Sequence, residues 1–198
     1  IKFNERIGYS LLPKPFFYTK NLDIVHNEKT LGNSDYVKFY ISLSNLFSLK
    51  KIRTKELVFK NTDFEINSEN VGFFEKTLNT TEKVDKVFFK KSKFFYKNLN
   101  NELLFLSKID LLKFFYDEKN ELQKVKSIFE IFNIPFKLDI SKDINNKNKV
   151  LILSSKKIRL NIETTIVENE KEINGLFNID LINKSNSFKY LIKNDTLN

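Results

Sequence analysis

The sequence predicts a mainly-β protein: an antiparallel meander of strands with one short amphipathic helix. Three observations lead there. Apolar residues recur at every second position in run after run, short Asn/Asp/Lys-rich clusters separate the runs, and one stretch alone switches to helical spacing. The 198 residues include 21 Phe and 7 Tyr but only 4 Gly and 3 Pro, which is material for a half-buried pleated surface rather than for a disordered chain.

Taken in order, Leu22-Asp-Ile-Val25 reads as a short strand that leaves His26 at a surface or sheet edge. Val37, Phe39, Ile41 and Leu43 alternate with Lys38, Tyr40 and Ser42, which sets four apolar side chains on one face of a strand. Over residues 69–78 the period changes. Val71, Phe74 and Leu78 fall three and four apart behind Ser68, so a helix with Ser68 as its cap is expected, positioned to lie over an open end of the sheet. The stretch 103–131 suits either period, and its aromatic content together with a turn at Asp117–Asn120 assigns it to strands. Downstream the alternation is cleanest. Phe136, Leu138 and Ile140 follow Ile134; Ile158, Leu160, Ile162 and Ile166 form the next run; then come Phe177, Ile179 and Leu181, and finally Phe188, Tyr190 and Ile192. Turns are expected at Asn145–Asn148, Glu168–Lys171 and Asn183–Asn186, because Asn and Asp tolerate left-handed backbone and bond their own main chain. No Pro- or Gly-rich stretch divides the chain, so residues 1–198 read as one domain, and a start at Ile1 reads as a fragment of a longer protein.

Composition removes most enzyme chemistry. Without Cys there are no disulfides, thiolate metal sites or Cys nucleophiles, and a single His26 leaves no His pair for a metal and makes a His-dependent triad hard to build. Gly8, Gly32, Gly72 and Gly175 lie too far apart for a phosphate-binding loop. The acidic neighbours Asp117/Glu118 and Glu168/Glu170 fall in expected turns, where solvent rather than an apolar wall surrounds them. No catalytic residue, cofactor or metal ion is therefore expected. No run of about 18 apolar residues exists to span a bilayer as a helix. The net charge of +9 comes from Lys, with Arg only at Arg6, Arg53 and Arg159, and reads as the Lys/Asn/Ile/Phe usage of an AT-rich genome. In Phe88-Phe-Lys-Lys-Ser-Lys-Phe-Phe-Tyr96 the aromatics are expected to point inward and the Lys outward, so no specific nucleic-acid partner is expected.

What remains is the apolar face itself. Such a face either packs against a second sheet as a sandwich core or lines a trough for acyl chains, and both give the same alternation. The cleanest runs nominate Phe136, Leu138, Ile140, Ile158, Leu160 and Ile162 as groove lining.

Ile7-Gly-Tyr-Ser-Leu-Leu-Pro-Lys-Pro-Phe-Phe17, then Asn21-Leu-Asp-Ile-Val25, resembles the start of the AsmA-like family, in which a strand enters through a Pro-x-Pro element. The alternating strand from Val37 through the corner ending at Ile52, followed by Glu56-Leu-Val-Phe-Lys-Asn-Thr-Asp-Phe-Glu-Ile66 and the helix at 69–78, is similar to that family's recurring unit. The resemblance covers residues 5–78. It implies a long twisted antiparallel sheet forming a half-pipe, whose apolar groove carries or shields phospholipid without catalysis. It also implies a periplasmic location, with the full-length protein anchored to the inner membrane by an N-terminal helix that this sequence does not contain. Phospholipid or another acyl-chain lipid, and the bacterial membranes, would be the partners. A β-sandwich interaction module without lipid cargo is the alternative.

Overall fold

The computed structural model describes residues 1–41, 54–78, 86–146, 148–169 and 172–193. Among the described residues thirteen strands join in one sheet. The first part comprises β1 (Lys2–Phe3), β2 (Gly8–Ser10), β3 (Phe16–His26), β4 (Lys29–Ile41), β5 (Thr54–Ile66), β6 (Lys86–Lys97) and β7 (Leu103–Asp117). The second comprises β8 (Leu122–Ile131), β9 (Ile134–Asp143), β10 (Lys149–Ser155), β11 (Leu160–Glu168), β12 (Glu172–Leu181) and β13 (Lys184–Lys193). From β3 onward each strand pairs with the next in sequence, while β1 and β2 line the outer edge of β3. Among the described residues β13 has no partner on its far side, so the sheet is open.

The expected meander holds at every junction from β3 onward but one. Strands β5 and β6 run parallel, and the helix α1 (Val71–Leu78) lies in the connection between them. A parallel pair needs a crossover of about a dozen residues or more, which the segment between Ile66 and Lys86 provides and a tight hairpin does not. The helix cap differs from the expected Ser68. Asn67 Oδ1 accepts from the backbone N–H groups of Glu69 (3.0 Å) and Asn70 (3.1 Å), and Asn70 Oδ1 accepts from the Asn67 N–H at 2.9 Å. This is a reciprocal capping box with Asn at both positions. Phe74 points back onto the sheet, 5.9 Å from the Phe64 ring and 6.2 Å from Phe94, so the helix covers part of the apolar face. His26 ends β3, exposed as expected, with its ring 4.4 Å from Phe73.

Asn, not Gly, is the commonest residue where the backbone turns left-handed. No glycine has positive φ, whereas Asn21, Asn27, Asn61, Asn101, Asn133 and Asn183 do. Two-residue turns with both φ positive join β3 to β4 at Asn27–Glu28, β8 to β9 at Phe132–Asn133, and β12 to β13 at Ile182–Asn183. The last lies earlier than the expected Asn183–Asn186, because Lys184 already pairs with Leu181. The β9–β10 turn begins at Ile144, and residue 147 of its expected span lies outside the described residues. So do residues 170–171 of the Glu168–Lys171 turn, Leu43 of the strand expected to begin at Val37, and the corner up to Ile52.

A crease runs across β3 to β7. In each of these strands the inward alternation slips by one residue at the same level: Thr19 to Leu22, Ser34 to Val37, Phe59 to Thr62, Phe89 to Ser92, Ile109 to Leu112. Asn21, Asn61 and Lys91, at φ of 48°, 51° and 52°, supply the left-handed backbone there. Where ladder bonding is interrupted, buried hydroxyls take over. Thr62 Oγ1 donates to Ser34 Oγ at 2.9 Å, Ser34 Oγ donates to the Lys60 carbonyl at 3.2 Å, and Ser92 Oγ accepts from the Thr62 N–H at 3.3 Å.

The crease folds the apolar face inward. Phe59 stacks on Phe89 at 4.7 Å, and Phe64, from beyond the crease, meets the edge of Phe89 at 5.2 Å. Leu22 and Val37 are 0 % exposed and Phe59 is 5 % exposed. This half of the sheet thus fills its own interior. Strands β8 to β13 pair without register shifts.

Candidate functional site: an open apolar trough

Register alone places the groove candidates. Val37, Phe59, Phe89, Leu112, Ser127, Leu138, Leu153, Ile162 and Ile179 are successive cross-strand partners, and therefore share one face. A second ladder on the same face runs through Phe39, Leu57, Val87, Phe114, Val125, Ile140, Leu151, Thr164, Phe177 and Phe188. Of the nominated residues, Leu138 and Ile162 lie on the first ladder and Ile140 on the second. Phe136 faces Phe129, with rings stacked at 5.5 Å, on the same face. Leu160 pairs with Leu181 near one rim. Ile158 does not belong with them: it sits in the turn Lys156–Arg159, where Arg159 takes a φ of 51°, and β11 begins only at Leu160. Alternation in sequence carried one step too far, past a backbone reversal.

The two halves of this face differ. In the creased half it is covered by itself and by α1. Among the described residues, the substantial neighbours of each strand from β9 to β13 are its ladder partners, and Leu138, Ile140, Leu151, Leu153, Ile162, Phe177 and Ile179 are partly buried, not buried. Phe188 is 56 % exposed. Four spacings of about 4.8 Å give this open stretch a span of about 19 Å.

One rim of the trough is polar, a feature the sequence reading did not single out. Tyr116, Gln123, Lys142 and Lys149 are successive partners at the level just beyond the Phe114–Leu151 ladder. Gln123 is 2 % exposed and Lys142 4 %. Both polar atoms of the Gln123 amide lack a hydrogen-bond partner among the described residues. Lys149 pairs with Glu168 Oε2 at 2.9 Å. A signal was available: each of these residues stands two positions from an apolar ladder residue, in phase with it.

Of the carboxylates expected in solvated turns, Glu118 lies exposed in the turn after β7 and Glu170 lies outside the described residues, but Asp117 and Glu168 are ion-paired at strand ends. Besides Glu168, Asp117 meets Lys124 Nζ at 2.8 Å and accepts from Asn120 Nδ2 at 2.9 Å, and these two partners pull its carboxyl down to about 2.

The opposite face is polar and mixed. The expected division of Phe88–Tyr96 is half right: Phe89, Phe94 and Tyr96 face the apolar side, while Phe88 and Phe95 share the outer side with Lys90 and Lys93. Aromatic and basic side chains cluster there on β3–β5, with Lys38 Nζ 4.2 Å from the Phe16 ring centroid and Tyr18 against Tyr36 at 5.8 Å. Burial, then the neighbouring Tyr18 and Tyr40, raise the Tyr36 hydroxyl above its ordinary value. A depression of about 400 Å³ also opens on this face, floored by Leu111, Ile128 and Ile152 and rimmed by Lys113, Lys126 and Lys137. Its three aliphatic groups form an isolated patch, whereas the trough is continuous from strand to strand. Among the described residues no group of three or more His, Asp or Glu side chains could hold a metal ion, and no helix is long and apolar enough to cross a membrane.

No protein-family model matches the chain, and no curated protein matches it.

Proposed function

We propose that the protein is a non-enzymatic lipid carrier whose open trough, from β9 to β13, shields the acyl chains of a phospholipid while the headgroup stays in water. The observation that carries this reading is the pair of apolar ladders through Leu138, Leu153 and Ile162 and through Ile140, Leu151 and Phe177, whose members are only partly buried in strands that neighbour, among the described residues, chiefly their ladder partners. Burial supplies the driving force. Each methylene removed from water contributes about 0.8 kcal/mol. One leaflet of a bilayer core is about 15 Å thick, so a single acyl chain fits the trough's span.

The resemblance of residues 5–78 to AsmA-like proteins supports the same activity. On that reading the full-length protein works in the periplasm, held at the inner membrane, and moves lipid between the two envelope membranes. The test is direct. The protein is purified without detergent, extracted with organic solvent, and the extract examined by lipid mass spectrometry. Stoichiometric phospholipid is expected. Protein free of lipid that also fails to take up phospholipid from vesicles would mean the apolar face serves as an interaction surface or closes against itself.

A further inference from the structure

We infer that the β6–β7, β8–β9, β10–β11 and β12–β13 turns form a docking edge for an anionic bilayer surface; the choice of a bilayer as partner rests on the lipid-carrier reading above. From β6 to β13 each strand is antiparallel to the next, so these turns share one end of the sheet. Successive turns stand about 9.6 Å apart, two interstrand spacings. Large apolar side chains protrude from three of them: Leu99 is 83 % exposed, Phe132 76 % and Ile182 62 %. Among the described residues the β7–β8, β9–β10 and β11–β12 turns, at the opposite end, expose no large apolar side chain. The backbone sharpens the contrast. Phe132 and Ile182 adopt φ of 50° and 48°, left-handed values that Asn or Gly takes without strain and an aromatic or β-branched residue does not. Stability alone favours Asn at both positions, so these exposed side chains have their use outside the folded chain.

The turns are also tied to one another. Lys157 Nζ donates to the Asn133 carbonyl at 2.8 Å, and the Ile182 N–H donates to the Arg159 carbonyl at 3.1 Å, which joins three of the tips into one continuous edge. Its charge is basic: Lys156, Lys157, Arg159 and Lys184 stand in or beside the last two turns against Asp180. Farther along, Glu102 accepts from Asn98 Nδ2 at 2.7 Å and Glu130 pairs with Lys108 at 3.2 Å. Apolar tips flanked by ammonium and guanidinium groups match the boundary of an anionic bilayer, where the tips enter the acyl region and the cations stay with the headgroups. The edge also opens onto the trough. From it the pairs Phe129–Phe136 and Leu160–Leu181 lead to the Leu138–Leu153–Ile162 ladder, whereas the opposite rim interposes Gln123, Lys142 and Lys149. An acyl chain leaving a bilayer docked here therefore meets apolar side chains first.

The protein is sedimented with phosphatidylcholine vesicles, with and without phosphatidylglycerol, and its own lipid content is measured separately by solvent extraction. Binding to the anionic vesicles is expected, and salt should weaken it. The double variant Phe132→Asn, Ile182→Asn should lower the partition coefficient at least about tenfold, since two apolar side chains no longer leave water. Its melting temperature should equal or exceed that of the wild type, and its extracted phospholipid should be unchanged. Lys156→Gln and Lys184→Gln should each lower partitioning about fivefold, on anionic vesicles only. Leu99→Ser alters the most exposed tip and should weaken binding in the same direction, which keeps the test decisive if the double variant fails to fold. Wild-type protein that carries phospholipid yet does not sediment with anionic vesicles would overturn the docking edge and leave the carrier reading standing. Vesicle binding that depends on Phe132 and Ile182, by a protein that holds no lipid, would do the reverse. Equal binding by the wild type, the double variant and Leu99→Ser would overturn the edge. A wild-type dimer in analytical ultracentrifugation that the double variant converts to monomer, without vesicle binding by either, would make the edge a contact between copies and overturn the bilayer assignment.

Discussion

Leu138 and Val37 lie on the same cross-strand ladder, yet an aspartate should act oppositely at the two. Val37 is 0 % exposed, packed with Leu22 and Phe59 inside the crease. A carboxylate there loses its water and gains no cation, at an effective cost of several kcal/mol, beyond the methyls lost. A domain of this kind holds about 5–15 kcal/mol in reserve, so Val37→Asp should leave little folded protein. Leu138 keeps one side open to solvent. Complete burial of a leucine contributes about 1.5–3 kcal/mol, of which this position realises only part, and an aspartate at its place still reaches water. Leu138→Asp should therefore cost about 1–2 kcal/mol, keep a cooperative urea transition, and abolish phospholipid uptake, because a charge now stands in the path of the acyl chain. Urea titrations followed by far-UV circular dichroism give the first quantity, and lipid counting from vesicles gives the second. If Leu138→Asp unfolds the protein as Val37→Asp does, the face at β9 is a closed core. If it folds and still loads lipid like the wild type, the trough is not where lipid binds.

Three further outcomes are expected. Gly175→Ala should destabilise by about 1–3 kcal/mol in thermal melts, since a Cβ there would strike the Thr165 carbonyl and come within 2.6 Å of the Tyr190 hydroxyl, whose ring lies over the glycine. Ile182→Asn should raise stability by about 1 kcal/mol, because a β-branched residue at a φ of 48° carries left-handed strain that Asn tolerates; an unchanged urea midpoint would contradict the turn geometry. The Asp117 carboxyl sits at about 2 when folded, below its unfolded value of about 3.9. Its pairing with Lys124 thus contributes in full above pH of about 4 and is lost as pH falls through about 2. Asp117→Asn should flatten that part of the acid-unfolding profile.

Periodicity of two is enough to find strands, because a sheet with one apolar face writes that face directly into alternate residues, as along Ile134 to Ile140 and Phe177 to Leu181. It is weaker at reversals. Ile158 kept the rhythm while sitting in a turn, Phe132-Asn133 turns without Gly or a polar cluster to announce it, and the turn at Ile182-Asn183 begins one residue ahead of the polar cluster that announced it. The crease was written in the sequence as three-residue steps such as Phe59 to Thr62 and Phe89 to Ser92. Within one strand such a step looks like noise, and only the alignment of five strands gives it meaning. The parallel pairing of β5 and β6 depends on where the chain after α1 returns, which no local pattern encodes. For the trough, the ladder members were legible but their exposure was not, since exposure depends on what packs across them. Gln123, Lys142 and Lys149 were visible as letters, yet their burial appears only once three strands stand side by side.

Strand order equal to sequence order makes the sheet a ruler. From β6 to β13 each added hairpin lengthens the apolar face by two interstrand spacings, about 9.6 Å, and disturbs only the strand it joins. Duplication or loss of a hairpin therefore changes how far the face reaches in fixed increments without altering its width, its curvature or the side on which it opens. A β-barrel has no such freedom, since closure ties strand number to diameter. Reach in this architecture is a quantity that insertion can set one hairpin at a time.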